Sequence, residues 1–270
     1  MTDEKTTVQV GDHLIAYRHN GQNSASGASA IVLIHGAGCT SQDWPQSWLD
    51  KQTGDLEGHA VYALDLPGHG ASDGPPVGEV AAMGALVNAF AARIGLTDVC
   101  LVGHSMGAAI ALSCALQDAP HLRQLVLIAG ADRFGVQQGL LDGLEQDFSK
   151  TAEKVAQASW KGAVDTSRMA ATVEAMQAAG KEILVNDFTA CRNANLGGVV
   201  SGIEVPVLAI AARPDRMVQL EIVADLAARL KHCKLEIHEE GSHFLHLEQP
   251  VQIADSILSF VRNSKGKMAG

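Results

Sequence analysis

The chain has 270 residues, a formal net charge of −10, and 47% hydrophobic against 19% charged residues. Such acidity repels phosphate backbones and argues against a nucleic-acid partner. The apolar share suits one large core carrying an insertion.

The apolar runs are too short to span a bilayer, so no membrane partner is expected. The opening MTDEKTTVQV has no basic stretch leading into an apolar one, which argues against a secretory signal. Cys39, Cys100, Cys114, Cys191 and Cys233 are scattered without a Cys-x-x-Cys pair. That usage points to reduced thiols in a cytoplasmic protein.

In chain order, Thr6–His19 reads as two strands around a Gly11-Asp12 turn, followed by a Gly/Ser/Asn-rich loop over Gly21–Ser29. Short β-branched runs then recur at Ile31–Ile34, Ala60–Leu64, Val99–Val102, Leu125–Ile128, Val205–Ala211 and Leu235–Ile237. Continuous rather than alternating apolarity predicts strands covered on both faces. Between them lie helical patterns at Val80–Ile94, Gly107–Gln117, Leu220–Leu230 and Val251–Val261. Strands alternating with helices imply a mostly parallel sheet with right-handed crossovers. The stretch from Asp132 to Gly202 breaks this rhythm. It holds helical patterns alone and reads as a lid inserted over the strand ends.

Gly103-His104-Ser105-Met106-Gly107 is a G-x-S-x-G pentapeptide between an apolar strand and an Ala-rich helix. By chance roughly one chain in ten of this length carries the pattern, so the strand-turn-helix setting supplies most of its weight. A sharp turn there exposes the Ser105 hydroxyl, and the helix N-terminus favours charge developing on a substrate oxygen.

A serine nucleophile needs a base, and the base needs an orienting acid. Among 11 histidines, His243 is the preferred base, because it lies in a loop just after the last strand. His246 lies deeper, in what reads as the next helix. His59, His121 and His232 read as surface residues, and the His104 side chain is expected to leave the turn in another direction. Asp215 follows the Val205–Ala211 strand and is the first choice of acid. Asp132, at the end of the preceding strand, is its rival. Two N–H donors for an oxyanion are expected from Met106 and from Ala37, with Gly36 as the alternative in the small-residue loop His35-Gly36-Ala37-Gly38.

Together these residues resemble the α/β-hydrolase superfamily, over nearly the whole chain. His35-Gly36 followed by Trp44, the segment Asp65-Leu66-Pro67-Gly68-His69-Gly70-Ala71-Ser72, and Leu247-Glu248-Gln249-Pro250 are similar to further segments of that family. Ala212 and Ser242 stand where the family often has glycine. The resemblance implies a doubly wound, mostly parallel sheet of about eight strands. It divides the chain into a core of residues 1–131 and 203–270 and a helical cap of residues 132–202. It implies no metal and no organic cofactor, and it allows a homodimer that no sequence feature demands.

The chemistry implied is hydrolysis of an ester-type bond in a small substrate through an acyl-serine. Gly36, Trp44, Leu140, Leu144 and Trp160 are the expected substrate-binding positions. With Phe148, Met169 and Met176 they suggest an apolar acyl or aryl pocket, although cap packing would use the same residues. A carbon–carbon bond hydrolase, an enol-lactonase, a thioesterase or a perhydrolase would share the triad. A non-catalytic binding protein would show a damaged one. Epoxide hydrolases and haloalkane dehalogenases carry aspartate where Ser105 stands and are disfavoured. Cys39 reads as a packed side chain rather than a second nucleophile.

Overall fold

The computed structural model describes residues 6–22, 29–50, 54–160 and 166–265. Most of the expected Gly21–Ser29 loop lies outside those residues. The chain opens with a hairpin, β1 (Thr6–Val10) and β2 (His13–His19), turned at Gly11 with φ 56°. Next come β3 (Ala30–Ile34), β4 (Val61–Leu64), α1 (Val80–Arg93), β5 (Val99–His104), α2 (Met106–Ala115) and β6 (Leu122–Ile128). Four consecutive helices follow: α3 (Gln138–Gln146), α4 (Phe148–Ser159), α5 (Thr166–Ala179) and α6 (Lys181–Asn193). The order ends with β7 (Val207–Ala212), α7 (Leu220–Arg229), β8 (Cys233–His238), the one-turn α8 (Leu245–Glu248) and α9 (Pro250–Lys265).

The eight strands form one sheet in the order β1-β2-β4-β3-β5-β6-β7-β8. The β1–β2 and β2–β4 pairs are antiparallel, and the pairs from β4 onward are parallel. The continuous apolar runs have a simple cause, because side chains alternate between two cores. Val32 and Ile34 of β3, Leu101 of β5 and Leu127 of β6 point towards α1 and α2. Leu33, Val102 and Ile128 point the other way, towards Ile253, Ile257 and Val261 of α9. Each buried aliphatic side chain contributes ~1.5–3 kcal/mol, so both faces favour apolar residues.

Proline accounts for two boundary shifts. β7 starts at Val207 rather than Val205, because Pro206 has no N–H to give a ladder. α9 starts at Pro250, whose fixed φ suits a first helical position. His59 and His121 correct the surface reading, since both are buried. The ring of His59 lies 2.9 Å from the Ser29 carbonyl, which ties it to the strand entry.

α3 to α6 have a small core of their own, built from Leu141, Leu144, Val155, Met176, Leu184 and Phe188. No helix among the described residues is long and apolar enough to cross a membrane.

The sheet and α2 meet without room for side chains. A Cβ on Gly107 would stand 2.1 Å from the Ile34 carbonyl oxygen, and one on Gly130 would stand 2.1 Å from Cβ of Ala108. Gly130→Ala is therefore expected to cost about 1–3 kcal/mol. Adding Ala108→Gly should restore part of it, less about 1 kcal/mol for glycine within a helix. Thermal or urea unfolding of the single and double variants measures both effects.

Candidate active site

β5 ends at His104, and α2 starts at Met106. Ser105 makes the whole turn between them, with φ 53° and ψ −117°. A non-glycine residue with positive φ is held by its surroundings. Here the surroundings are backbone, since a Cβ on Gly103 would lie 2.2 Å from the Gly107 carbonyl oxygen. Ser105 also donates its N–H to Ile128 O at 3.0 Å, which pins the turn to β6. The turn stands at the carboxyl ends of the parallel strands, where ligands bind in open α/β sheets.

Nδ1 of His243 lies 2.9 Å from Oδ2 of Asp215, and both side chains are buried. Oδ1 of Asp215 accepts the N–H groups of Met217 at 2.7 Å and Val218 at 3.1 Å. These bonds fix the carboxylate and make Nδ1 of His243 the donor, leaving the Nε2 lone pair free to act as a base. His243 is itself held by backbone. Its N–H donates to Ser159 O of α4 at 3.1 Å, and its carbonyl accepts from Nε2 of His104 at 2.9 Å.

The rival acid is engaged elsewhere. Asp132 is fully buried and takes a two-pronged bond from Arg229, with distances of 2.9 and 3.0 Å. His246 is not placed as a base either. Its Nε2 faces Asp43 O at 3.1 Å, and burial, with a smaller effect from His243, lowers its pKa to about 3. His104 is pushed well below the ordinary histidine value by burial and then by His246 and His243. A neutral His104 fits its role as donor to the His243 carbonyl.

Ser105 lies where two cavities meet. The smaller is lined by Gly36, Ala37, Cys39, Ser105, His243 and Phe244, with Val155, Ser159, Met176 and Phe188 from the inserted helices. The larger, of about 240 Å³, joins Ala37 and Ser105 to Phe134, Val136, Leu140, Phe188 and Met217. The N–H of Met106 is in the first turn of α2 and has no acceptor within the helix. A wider groove of about 640 Å³ around Lys231, Cys233 and Phe260 lies at the opposite, amino ends of β7 and β8 and holds none of these residues.

The expected substrate-binding positions divide. Gly36 and Leu140 line the cavities at Ser105. Trp44, Leu144 and Trp160 do not. Trp44 is buried against Trp48 and His246, with ring centroids at 5.7 and 4.9 Å. Leu144 is inside the core of the inserted helices. Trp160 stacks behind Phe244 at 5.1 Å, and its Nε1 donates to Thr172 Oγ1 at 2.8 Å. Cys39 is buried and its thiol is pushed well up, first by burial and then by Asp43 and Asp187, so it stays protonated.

Several wall residues were not anticipated. Phe134 and Val136 follow β6, and Met217 lies two residues after Asp215, so proximity to strand ends was the available signal. Phe188 carried no such mark. Only the folding of α6 onto the sheet edge brings it there.

A strained serine between strand and helix, lining one cavity with a histidine–aspartate pair, defines a class that comparison specifies further. Residues 31–256 match the model of the alpha/beta hydrolase family, and the chain belongs to that family. It is similar to the pimeloyl-[acyl-carrier protein] methyl ester esterase of Cronobacter sakazakii, 26% identical over 88% of this chain and 95% of the relative. Among solved structures it resembles an esterase from Exiguobacterium antarcticum, with TM-score 0.85 and 20% identity over 96% of this chain and 99% of that one. It resembles equally the enol-lactonase from Burkholderia xenovorans LB400, with TM-score 0.85 and 20% identity over 95% of this chain and all 100% of that one. At that identity these structures show the shared fold alone.

The two acids are separable by experiment. Asp132→Asn should cost about 2 kcal/mol in unfolding free energy, from weakened charged hydrogen bonds to Arg229. It should leave labelling by a fluorophosphonate unchanged. Asp215→Asn should slow that labelling by about 10³–10⁴-fold with the fold retained.

Proposed function

We propose that the protein is a serine hydrolase that cleaves the ester bond of a small apolar acyl or aryl substrate through an acyl-serine intermediate. The observation that carries this reading is the 2.9 Å His243–Asp215 bond opening onto the same cavity as Ser105. With Nδ1–H directed at Asp215, Nε2 of His243 takes the Ser105 proton as Oγ attacks the ester carbonyl. The N–H groups of Met106 and Ala37 receive the oxyanion, each contributing about 10²–10³ in rate. The imidazolium returns its proton to the leaving alcohol. A water activated by Nε2 then releases the acid and restores Ser105.

The size of the site favours a small substrate. About 240 Å³ beside Ser105 falls below the ~300–1,000 Å³ of pockets for drug-sized ligands. Its walls are mostly apolar, with Phe134, Val136, Leu140 and Phe188, and Gln137 and Arg216 are polar members. The esterase name of the Cronobacter relative supports the bond type. The cap role of α3 to α6 is supported by the residues they lend to both cavities. Free cysteines at all five positions suit a reducing, cytoplasmic setting.

A fluorophosphonate probe should label the wild-type chain and fail on Ser105→Ala. Equal labelling of both would overturn the reading. Initial rates on p-nitrophenyl esters of increasing chain length should peak at short acyl groups and fall once the chain outgrows the cavity. Negligible rates on every ester, with labelling retained, would move the assignment to a lactonase or a carbon–carbon bond hydrolase.

A further inference from the structure

A second buried charge cluster lies one residue beyond the proposed oxyanion donor. Asp187 of α6 is wholly buried. Its Oδ2 accepts the Gly38 N–H at 2.8 Å and lies 2.9 Å from Nε2 of His69. Its Oδ1 accepts from Nδ2 of Asn186 at 3.2 Å. The other ring nitrogen of His69, Nδ1, faces Pro67 O at 3.0 Å. A carbonyl and a carboxylate are both acceptors, so both ring nitrogens are called on to donate, which only the imidazolium can do. Burial by itself lowers the proton affinity of His69. The hydrogen bond and charge of Asp187 outweigh it, and the net shift is upward.

The surrounding groups agree with one ion pair. The His35 ring lies 4.8 Å from that of His69, with Nδ1 facing Gly36 O at 2.8 Å and Nε2 accepting the Leu66 N–H at 3.1 Å. That pattern fits a neutral ring, and burial followed by the charge of His69 lowers its pKa to about 4. Asp65 is committed to the N–H groups of Ser41 at 2.6 Å and Ala71 at 2.9 Å. Cys39 and Cys191, the thiols near Asp187, are both pushed upward by burial first and remain protonated.

α6 presses on the same loops through neighbouring side chains. Cδ1 of Leu184 lies 3.0 Å from where a Cβ of Gly38 would stand, and Cδ1 of Ile183 lies 3.0 Å from that of Gly68. Gly38 has φ 66°, open to glycine at little cost. The Gly38 N–H is thus aimed by a helix from a distant part of the chain. Its bond to Asp187 fixes the Ala37–Gly38 peptide plane, while the Gly36–Ala37 plane, which carries the Ala37 N–H, is held through Gly36 O by the Cys39 N–H at 3.2 Å and by Nδ1 of His35 at 2.8 Å.

We propose that Asp187 is a positioning residue for the loop that carries the Ala37 N–H: with His69 as counter-ion it clamps the Gly38 N–H and so holds the far end of the turn whose Gly36–Ala37 peptide is fixed through Gly36 O. The role of Ala37 rests on the hydrolase reading; the clamp does not. Asp187 lines neither cavity at Ser105, so it acts through the loop and not on substrate. Because the His69 pKa is raised, the ring stays charged up to that raised value and the ion pair is present below it. It is lost as pH rises through that raised value.

The test uses the full chain with Asp187→Asn and Asp187→Ala. Asparagine keeps a carbonyl for Gly38 and removes the charge facing His69. ¹⁵N NMR at pH 6 should find both His69 ring nitrogens protonated in the wild type and only one in Asp187→Asn. Gly38 amide exchange should rise by about tenfold or more in Asp187→Ala, as local opening becomes easier. On a short-chain ester, kcat should fall by up to about 10²-fold in Asp187→Ala with KM little changed. The fall should be smaller in Asp187→Asn. The alkaline decline of kcat/KM in the wild type should track the His69 titration and vanish in Asp187→Asn.

A singly protonated His69 in the wild type, an unprotected Gly38 amide, or unchanged kcat in both variants would overturn the clamp. A rise in KM alone would assign Asp187 to substrate binding and overturn it too. If Asp187→Ala does not fold, the wild-type titration decides: Gly38 exchange must accelerate, beyond the ordinary pH dependence of amide exchange, as His69 loses its proton. Failure of the hydrolase reading looks different, since fluorophosphonate labelling at Ser105 would be absent while Gly38 and His69 still respond to Asp187.

Discussion

The arrangement depends on a close approach of backbone to backbone around Ser105. Ser105 holds φ 53° at the junction of β5 and α2, a conformation that costs on the order of 1–3 kcal/mol for a side-chain-bearing residue. The cost is sustained because Gly103, Gly107 and Gly130 let α2 sit directly on the ends of β3, β5 and β6. Any Cβ there would stand 2.1–2.2 Å from a neighbouring atom. The strain is therefore a property of the packed sheet and not of the pentapeptide alone.

Around that point, each candidate group is fixed by hydrogen bonds that involve backbone. His243 is held through its N–H by α4 and through its carbonyl by His104, while Asp215 is held by the two peptide groups that follow it. A hydroxyl, a ring and a carboxylate positioned in this way need little reorganisation when charge develops. The same logic separates Asp215 from Asp132. Both stand at strand ends, but Asp132 is neutralised by Arg229, and Asp215 is held by backbone donors and His243 among the described residues.

The helices between β6 and β7 contribute side chains to both cavities at Ser105. α6 carries Phe188 into both cavities and Asp187 onto the loop beneath. Pocket shape and loop geometry are thus borne by adjacent residues of one helix. Helical packing alone does not call for a polar side chain at Asp187; the Gly38 N–H calls for an acceptor there and His69 for a charge.

Much of the chain was legible from sequence, because period and punctuation are local. The strands, the turn at Ser105, and the order of Ser105, Asp215 and His243 follow from apolar runs bounded by Gly, Pro and Asp. The inserted helices were legible only as helices. Trp44 and Trp160 are aromatic and near the right loops, and both turned out to pack away from Ser105, since direction is not encoded in composition. Phe188, Met217 and the Asp187–His69–Gly38 cluster join residues as much as 149 positions apart. Sequence by itself determined the fold class and the chemistry-bearing residue types. Tertiary structure alone decided which acid meets the histidine, which side chains face the cavity, and what holds the Gly38 N–H, because those depend on where separate segments come to rest against one another.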